Sequence, residues 1–349
     1  MSARLARSRG LDAWVRRWWT GQAGLPGLAL SVTLFPAEAL FRVGVTLRDH
    51  GFRRGWLTSK RASIPVISVG NLVVGGTGKT PVTSWLAQEL VARGHRPAVV
   101  VRGYGRDEIE LHRRWFPEVP VIPSRRRLDG AQAAARDGRT LVLLDDGFQH
   151  RRLKRDVDIV LLAAEDRLPP RLLPRGPYRE PLSALQRADV IIITRKSASR
   201  ARAREVEDIL RTQGAKAPVC HLHLTASGWS WMDGSSCGPP PGPVLAVSAI
   251  GRPETFVALL REQGCDPVKS LPFPDHHEYD ESDVARILEE RGEAQVVVTE
   301  KDAVKLRPFS QRLGEVRVLR LAVAVDGDRQ GLDVLWELIR SNADLDGKS

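Results

Sequence analysis

Cysteine, long hydrophobic runs and internal repeats are all scarce in this sequence. Its 349 residues include three scattered cysteines whose spacing matches no metal-binding pattern. That scarcity excludes a disulfide framework and indicates a reducing compartment. The most apolar stretch, residues 25–47, is interrupted too often for a bilayer span, which needs about 20 apolar residues. Hydrophobic (42%) and charged (27%) contents are ordinary, so the chain is predicted to be globular, with disorder excluded as its main state.

Acidic residues are outnumbered by basic ones, and the excess is concentrated at the start of the chain. The formal net charge is +11, and residues 1–60 carry ten basic and three acidic side chains. Four tryptophans lie in the same segment: Trp14, Trp18, Trp19 and Trp56. Basic, aromatic and apolar residues together are typical of a segment lying in a membrane interface. The alternative is a helical hairpin packed on the protein's own core.

The same basic charge would also suit a nucleic-acid-binding protein. However, the basic residues cluster with tryptophans near an apolar run, and no recognised nucleic-acid-binding module is present. We therefore predict no nucleic-acid partner.

From residue 64 onward, short apolar runs alternate with helical spacing. Strands are predicted at 64–70, 97–101, 140–144, 157–162, 189–194, 244–248 and 295–299. A helix is predicted over 81–93, ended by Gly94, and a proline- and glycine-rich linker covers 234–242. Continuous apolar strands between helices imply a parallel sheet covered on both faces.

This pattern predicts an α/β protein with three parts. Residues 1–60 form an N-terminal amphipathic helical segment. Residues 61–235 form a P-loop NTPase-like core with a parallel sheet. Residues 243–349 form a second, smaller α/β lobe.

A glycine-rich loop follows the first predicted strand and precedes the predicted helix. Such loops point backbone N–H groups at phosphate oxygens, with Lys79 reaching the β- and γ-phosphates and Thr80 binding Mg²⁺. Val73 stands where the strict phosphate-loop pattern has its first glycine. The predicted nucleotide-binding residues are Val73, Val74, Gly75, Gly76, Thr77, Gly78, Lys79 and Thr80. The predicted cofactors are therefore ATP and Mg²⁺.

Two adjacent acids, Asp145 and Asp146, end the apolar run at 141–144. An acid at the end of a strand can place its carboxylate beside a nucleotide-bound Mg²⁺. The alternative is turn formation or helix capping, which is common for aspartate after a strand. With the phosphate loop upstream, we favour Asp145 as a metal ligand and Asp146 as a catalytic residue, although either could contact the metal.

At this point the sequence resembles the tetraacyldisaccharide 4'-kinase family of lipid A biosynthesis, from about residue 11 to 340. The motifs that carry the resemblance are 68–81 (SVGNLVVGGTGKTP), 102–106 (RGYGR), 145–153 (DDGFQHRRL), 173–180 (LPRGPYRE), 273–277 (FPDHH) and 299–305 (TEKDAVK). Their order and spacing together are highly specific.

The resemblance implies ATP-dependent phosphorylation of the 4'-hydroxyl of lipid A disaccharide 1-phosphate. It also implies a monotopic enzyme on the cytoplasmic face of an inner membrane. The competing function is a membrane-associated P-loop switch ATPase without a lipid acceptor. That function predicts neither the 273–277 motif nor the amphipathic N-terminus.

One segment departs from the family pattern. Family members usually have a longer insertion between the RGYG segment and a G-D-E-P motif, whereas here the chain runs directly into Arg106, Asp107, Glu108 and Ile109. By the resemblance, Asp107 is a catalytic carboxylate paired with His276. A carboxylate within hydrogen-bond reach can take the proton of the acceptor hydroxyl.

The remaining site residues are assigned by the resemblance to the substrate region. They are Arg102, Tyr104, Glu108, Gln149 and His150. Lys79 and Asp146 complete the predicted catalytic set. Without the resemblance, His276, His277, His150 and His112 would each be read as packed or surface histidines.

Overall fold

Within the residues that the computed structural model describes, a single twelve-stranded sheet runs through both lobes of the molecule. The described residues are 14–15, 17–103, 106–327 and 330–342, without the side chains of 106–108, 330 and 342. The strands are β1 (Val66–Asn71), β2 (Pro97–Val101), β3 (Val121–Pro123), β4 (Leu141–Asp145), β5 (Val157–Ala163), β6 (Val190–Arg195), β7 (Val219–Trp231), β8 (Ser236–Cys237), β9 (Val244–Ser248), β10 (Pro267–Pro272), β11 (Gln295–Thr299) and β12 (Val316–Val325).

Helices cover both faces of this sheet. The described α-helices are α1 (Gly24–Thr33), α2 (Phe35–Arg53), α3 (Lys79–Ala92), α4 (Arg106–Trp115), α5 (Arg127–Arg136), α6 (Arg200–Thr212), α7 (Pro253–Glu262), α8 (Glu281–Arg291), α9 (Glu300–Leu306), α10 (Ser310–Leu313) and α11 (Gln330–Asn342). Short 3-10 helices span Leu182–Arg187 and Arg307–Phe309.

The first lobe has the strand order β3-β2-β4-β1-β5-β6, and every neighbouring pair is parallel. Strands β1, β4 and β5 are buried along their whole length, as apolar strands between two helical layers must be. The five strands predicted for this lobe are present with ends within two residues. The predicted α/β fold with a parallel core is confirmed.

Two long strands that the sequence pattern did not predict join the lobes. The first residues of β7 pair with β6 in parallel, and β7 then pairs with β12 antiparallel from residue 222 to 231. Beyond β12, the smaller lobe continues as β11-β9-β10, again in parallel. The lobes therefore share one hydrogen-bonded ladder, and the linker at 234–242 lies beside it.

The last helix, α11, returns to the first lobe. Leu335 and Ile339 are buried in the same hydrophobic cluster as Val82 and Leu86 of α3. The Trp336 ring lies 6.0 Å from that of Trp85. Helix α11 thus lies within the predicted third part, residues 243–349, but packs on the first lobe, and the boundaries at 235 and 243 stay predictions.

Helices α1 and α2 project apolar side chains into solvent. The exposed ones are Leu25, Leu28, Val32, Phe35, Leu40, Val43 and Leu47. Polar contacts anchor the pair: Glu38 accepts from the Leu172 backbone N–H at 2.9 Å and from Arg175 at 2.6 Å. No single described helix is long and apolar enough to cross a bilayer, whereas α1 and α2 meet that test as a pair bent by 52°. Residues 1–13 and 16 of the predicted segment lie outside the described residues.

Candidate active site

The glycine-rich loop between β1 and α3 has the backbone geometry of a phosphate cradle. Gly75, Gly76 and Gly78 have φ values of 81°, 55° and 81°, in the left-handed region that glycine enters at little cost. Gly78 is the residue before the first turn of α3, so the loop ends at a helix N-terminus that favours anions. Lys79 and Thr80 open that helix, which begins two residues before the predicted start at residue 81.

Side chains from neighbouring elements hold the loop in this shape. Asn71 donates to the Thr77 hydroxyl at 2.8 Å, and the Thr194 hydroxyl donates to the Thr77 carbonyl at 2.9 Å. The Lys196 ammonium donates to the Gly76 carbonyl at 3.2 Å. The loop is therefore fixed by protein contacts and need not be ordered by a ligand.

The two valines before the loop have a different role from its glycines. Val73 is buried in a hydrophobic cluster and forms a bridge with Tyr178, and the Val74 N–H donates to the Pro177 carbonyl at 2.8 Å. Both valines were predicted to bind the nucleotide, and that stays a prediction. In the structure they tie the start of the loop to the 173–180 segment.

The adjacent acids at the end of β4 have opposite surroundings. Asp146 has a φ of 54°, which turns its carboxylate toward Lys79 (3.5 Å) and Arg179 (3.1 Å). Burial raises the pKa of Asp146, but the charges of Lys79 and Arg179 more than offset this, so the pKa lies below its ordinary value. Asp146 is therefore an anion beside the phosphate loop at neutral pH.

Asp145 points into the core beneath that loop. Its Oδ2 lies 3.0 Å from His112 Nε2, and His112 Nδ1 lies 2.8 Å from the Ser84 hydroxyl. All three residues are buried, so this Ser–His–Asp chain links α3, α4 and β4 and does not expose its serine hydroxyl as a nucleophile. The other oxygen, Oδ1, is buried without a hydrogen-bond partner among the described residues.

The second lobe reaches the phosphate loop. Asp275 Oδ2 lies 3.5 Å from the point where a Cβ on Gly75 would be, and Arg252 lies equally close to that point on Gly76. His276 follows Asp275 and is half exposed. His277, in contrast, hydrogen-bonds Asp283 at 2.6 Å and stacks on Phe273, so it is a packed histidine.

Backbone strain marks two of the predicted catalytic residues. Among the described residues, Asp146 and His276 (φ 59°) are the only non-glycine residues with positive φ. Such conformations cost about 1–3 kcal/mol each and tend to occur at functional sites. Neither residue could have been singled out in this way from the sequence.

A group of arginines surrounds His150, next to the acid pair. Burial and, to a smaller extent, nearby positive charges together lower the pKa of His150 to about 4. Those charges belong to Arg127, Arg155, Arg102 and Arg152. Gln149 donates to the Asn71 carbonyl at 2.8 Å. Arg102, Gln149 and His150 are thus brought to one electropositive region.

Other predicted residues fall outside what can be described. Tyr104 is not among the described residues, and the side chains of Asp107 and Glu108 are not described either. Helix α4 begins at Arg106, so both acids lie in its first turn. The predicted pairing of Asp107 with His276 stays a prediction.

Three site residues were missed by sequence reasoning: Arg179, Lys196 and Arg252. Arg179 lies inside the 173–180 motif, which was recognised without a role being given to this position. Lys196 follows β6 and Arg252 precedes α7, and no local pattern points from either segment to the phosphate loop.

Comparison with known proteins gives a consistent result. The chain matches the family model described as tetraacyldisaccharide-1-P 4'-kinase over residues 30–115 and 107–340, two segments that overlap next to the shortened loop. A tetraacyldisaccharide 4'-kinase of Halorhodospira halophila is 38% identical over 311 residues, covering 82% of this chain and 86% of that protein. One from Anaeromyxobacter dehalogenans is 36% identical over 352 residues, covering 91% and 92%.

A solved structure is similar over most of the chain as well. It is the "apo" form of LpxK from Aquifex aeolicus in complex with ATP, which is 27% identical. The TM-score is 0.69, and the match covers 88% of this chain and 99% of that one.

Proposed function

The chain belongs to the tetraacyldisaccharide 4'-kinase family, and from this we propose that it transfers the γ-phosphoryl group of ATP to the 4'-hydroxyl of lipid A disaccharide 1-phosphate. The observation that carries the proposal is the preformed phosphate loop with Lys79 and Asp146 at its mouth. Phosphoryl transfer depends mainly on positioning and charge neutralisation. We call residues 75–80 with Asp145, Asp146 and Arg179 the phosphate end of the site.

Mg²⁺ fits this end of the site. The Asp145 Oδ1 atom is a buried carboxylate oxygen to which no described residue donates a hydrogen bond, and Thr80 supplies a hydroxyl from the first turn of α3. Carboxylate and hydroxyl oxygens are ligands that Mg²⁺ prefers. When bound, the metal neutralises charge on the β- and γ-phosphates. The Asp145 carboxylate is held in orientation by His112, and that contact accounts for a histidine in an otherwise apolar region.

The acceptor is proposed to bind on the other side of Asp146. Arg102, Gln149, His150 and the arginines around them form what we call the acceptor end. A dense group of guanidinium groups suits an anionic phosphate on the disaccharide. Neutral His150 can accept or donate a hydrogen bond there without adding a charge.

Asp107 and His276 are the proposed catalytic pair. Asp107 would take the proton of the 4'-hydroxyl as transfer proceeds, and His276 would orient that carboxylate or share the proton from the second lobe. The strained backbone at His276 supports an active-site role.

We further propose that the enzyme is monotopic, on the cytoplasmic face of the inner membrane. The exposed apolar side chains of α1 and α2 are accompanied by the basic residues of α2, the pattern of a helix in the headgroup region. Arg48 of α2 donates to the Gln149 carbonyl, so the same helix contacts the acceptor end. A lipid acceptor could then reach the site without leaving the membrane surface.

The test is a transfer assay. The purified protein in detergent is given Mg-ATP and lipid A disaccharide 1-phosphate, beside the Asp107→Ala and His276→Ala variants. Phosphate transfer by the wild type, with large losses in both variants, is the expected result. ATP hydrolysis without transfer to the lipid would favour the switch ATPase instead.

A further inference from the structure

The backbone of Arg252 belongs to the second lobe, but its guanidinium group contacts the first lobe. It is the residue before helix α7, and its Nη2 donates to Asp166, which follows β5 of the first lobe. Asp166 is buried, and its other oxygen accepts the Ala163 N–H at 3.0 Å. The ion pair therefore joins the two lobes at a fixed point.

Between its backbone and Asp166, the Arg252 side chain passes over Gly76 of the phosphate loop. A Cβ built on Gly76 would lie 3.5 Å from Arg252 Cγ, Cδ and Nε. The guanidinium is thus held over the backbone that is shaped to receive phosphates. Its second nitrogen, Nη1, is buried and has no hydrogen-bond partner among the described residues.

A second cation shares this location. The Lys196 ammonium donates to the carbonyl of the same residue, Gly76. Burial and, to a smaller extent, the charge of Arg252 together lower the pKa of Lys196 to about 8. Asp166 and Glu165 already offset part of this positive charge, but the Arg252 Nη1 donor stays unsatisfied among the described residues. A buried donor without an acceptor is unfavourable, and an anionic ligand at the loop would supply that acceptor.

We propose that Arg252 is a polyphosphate ligand supplied by the second lobe. Its Nη1 donates to a phosphate oxygen of the bound nucleotide while its Nη2 keeps the hydrogen bond to Asp166. Nucleotide binding and contact between the lobes therefore reinforce each other. The identity of the nucleotide rests on the function proposed above. The competing account is a purely structural latch, in which Arg252 only joins the lobes.

Nucleotide affinity distinguishes these accounts, because it can be measured without the lipid acceptor. The experiment is isothermal titration calorimetry of Mg-ATP, Mg-ADP and AMP into the wild type, Arg252→Ala and Asp166→Ala. The matched control is Arg261→Ala, since Arg261 lies on α7, the helix that follows Arg252, and pairs with Asp266 on the surface. Charge-assisted hydrogen bonds are strong enough that losing one weakens binding by about tenfold or more.

The expected result is a loss of about tenfold or more in ATP affinity for Arg252→Ala, a loss below about threefold for Asp166→Ala, and none for Arg261→Ala. AMP, which lacks the polyphosphate chain, should lose little affinity in any variant. The double variant Arg252→Ala/Asp166→Ala leaves no unpaired charge at the latch. It should keep the wild-type melting temperature better than either single variant while still binding ATP weakly.

Equal losses for Arg252→Ala and Asp166→Ala would overturn the proposal in favour of the latch. Wild-type ATP affinity in Arg252→Ala would overturn it outright. If the affinity pattern is as expected but no phosphate reaches the lipid, the role of Arg252 stands and the kinase function fails.

Discussion

The phosphate end and the acceptor end of the site are built in different ways. Most of the phosphate end is one continuous segment, with the acid pair of β4 on the neighbouring strand. The acceptor end collects Arg102, Arg127 and residues 149–155 from separate segments, with Arg48 of α2 at its border. A site made from one strand–loop–helix unit keeps its geometry locally, whereas a site made from many segments depends on the whole fold. The predictions below test that difference, from the largest expected effect to the smallest.

The phosphate end should tolerate substitutions less well than the acceptor end. Lys79→Ala removes the cation that pairs with Asp146 and reaches the transferred phosphate, so kcat is expected to fall about 10³-fold. The measurement is steady-state transfer of labelled phosphate to the acceptor in detergent. Lys269→Ala is the control, because Lys269 pairs with Glu290 on the surface of the second lobe. A loss of kcat in Lys79→Ala no larger than in the control would contradict the prediction that the phosphate end is the more sensitive end of the site.

The Asp146→Asn substitution should lower kcat by about 10²-fold. Asparagine accepts the left-handed backbone of this position, so the change removes charge without new strain. The depressed pKa means that the wild-type carboxylate is ionised throughout pH 6–8. The loss should therefore be the same at pH 6 and pH 8, measured as the ratio of wild-type to variant rates. A ratio that shrinks at pH 6 would show that Asp146 titrates in that range.

Substitutions in α1 and α2, the helices proposed to lie at the membrane, should affect location more than chemistry. Replacing both Leu28 and Leu40 by glutamate should weaken binding to vesicles that contain anionic lipid by about tenfold or more, since each leucine buries apolar area. Transfer to detergent-solubilised acceptor should stay within about threefold of wild type. Val268→Glu is the control, an exposed apolar residue on the second lobe. Unchanged vesicle sedimentation in the double variant would remove α1 and α2 as the contact surface.

His150 should give the smallest effect, visible in stability. Its pKa of about 4 lies below the ordinary 6.5, so between these values the unfolded chain binds a proton that the folded chain does not. Stability from this group is therefore lost as pH falls from about 6.5 towards 4. His150→Gln should show a smaller drop in melting temperature between pH 7 and pH 5 than wild type. Equal drops in both proteins would mean that His150 protonates freely in the folded state.

Much of the first lobe could be predicted because its signals are local. Apolar β-branched runs specify buried strands, and a glycine-rich loop before Lys79 specifies a phosphate cradle. Strand β7 escaped prediction because it mixes His221, His223 and small polar residues with apolar ones, one face being only half buried. Local sequence patterns do not predict the pairing of β7 with β12 either, since about 90 residues separate the two strands.

The sequence by itself determined the fold class, the family and the position of the phosphate loop, because each is encoded by residues close together in the chain. Only the tertiary structure decided what each acid does: Asp145 turns inward to His112, while Asp146 turns outward to Lys79 and Arg179. It also brought Arg252 across from the second lobe onto Gly76. The physical reason is the same in both cases. Charged groups interact with groups that are close in space, whereas a sequence pattern shows only which residues are close along the chain.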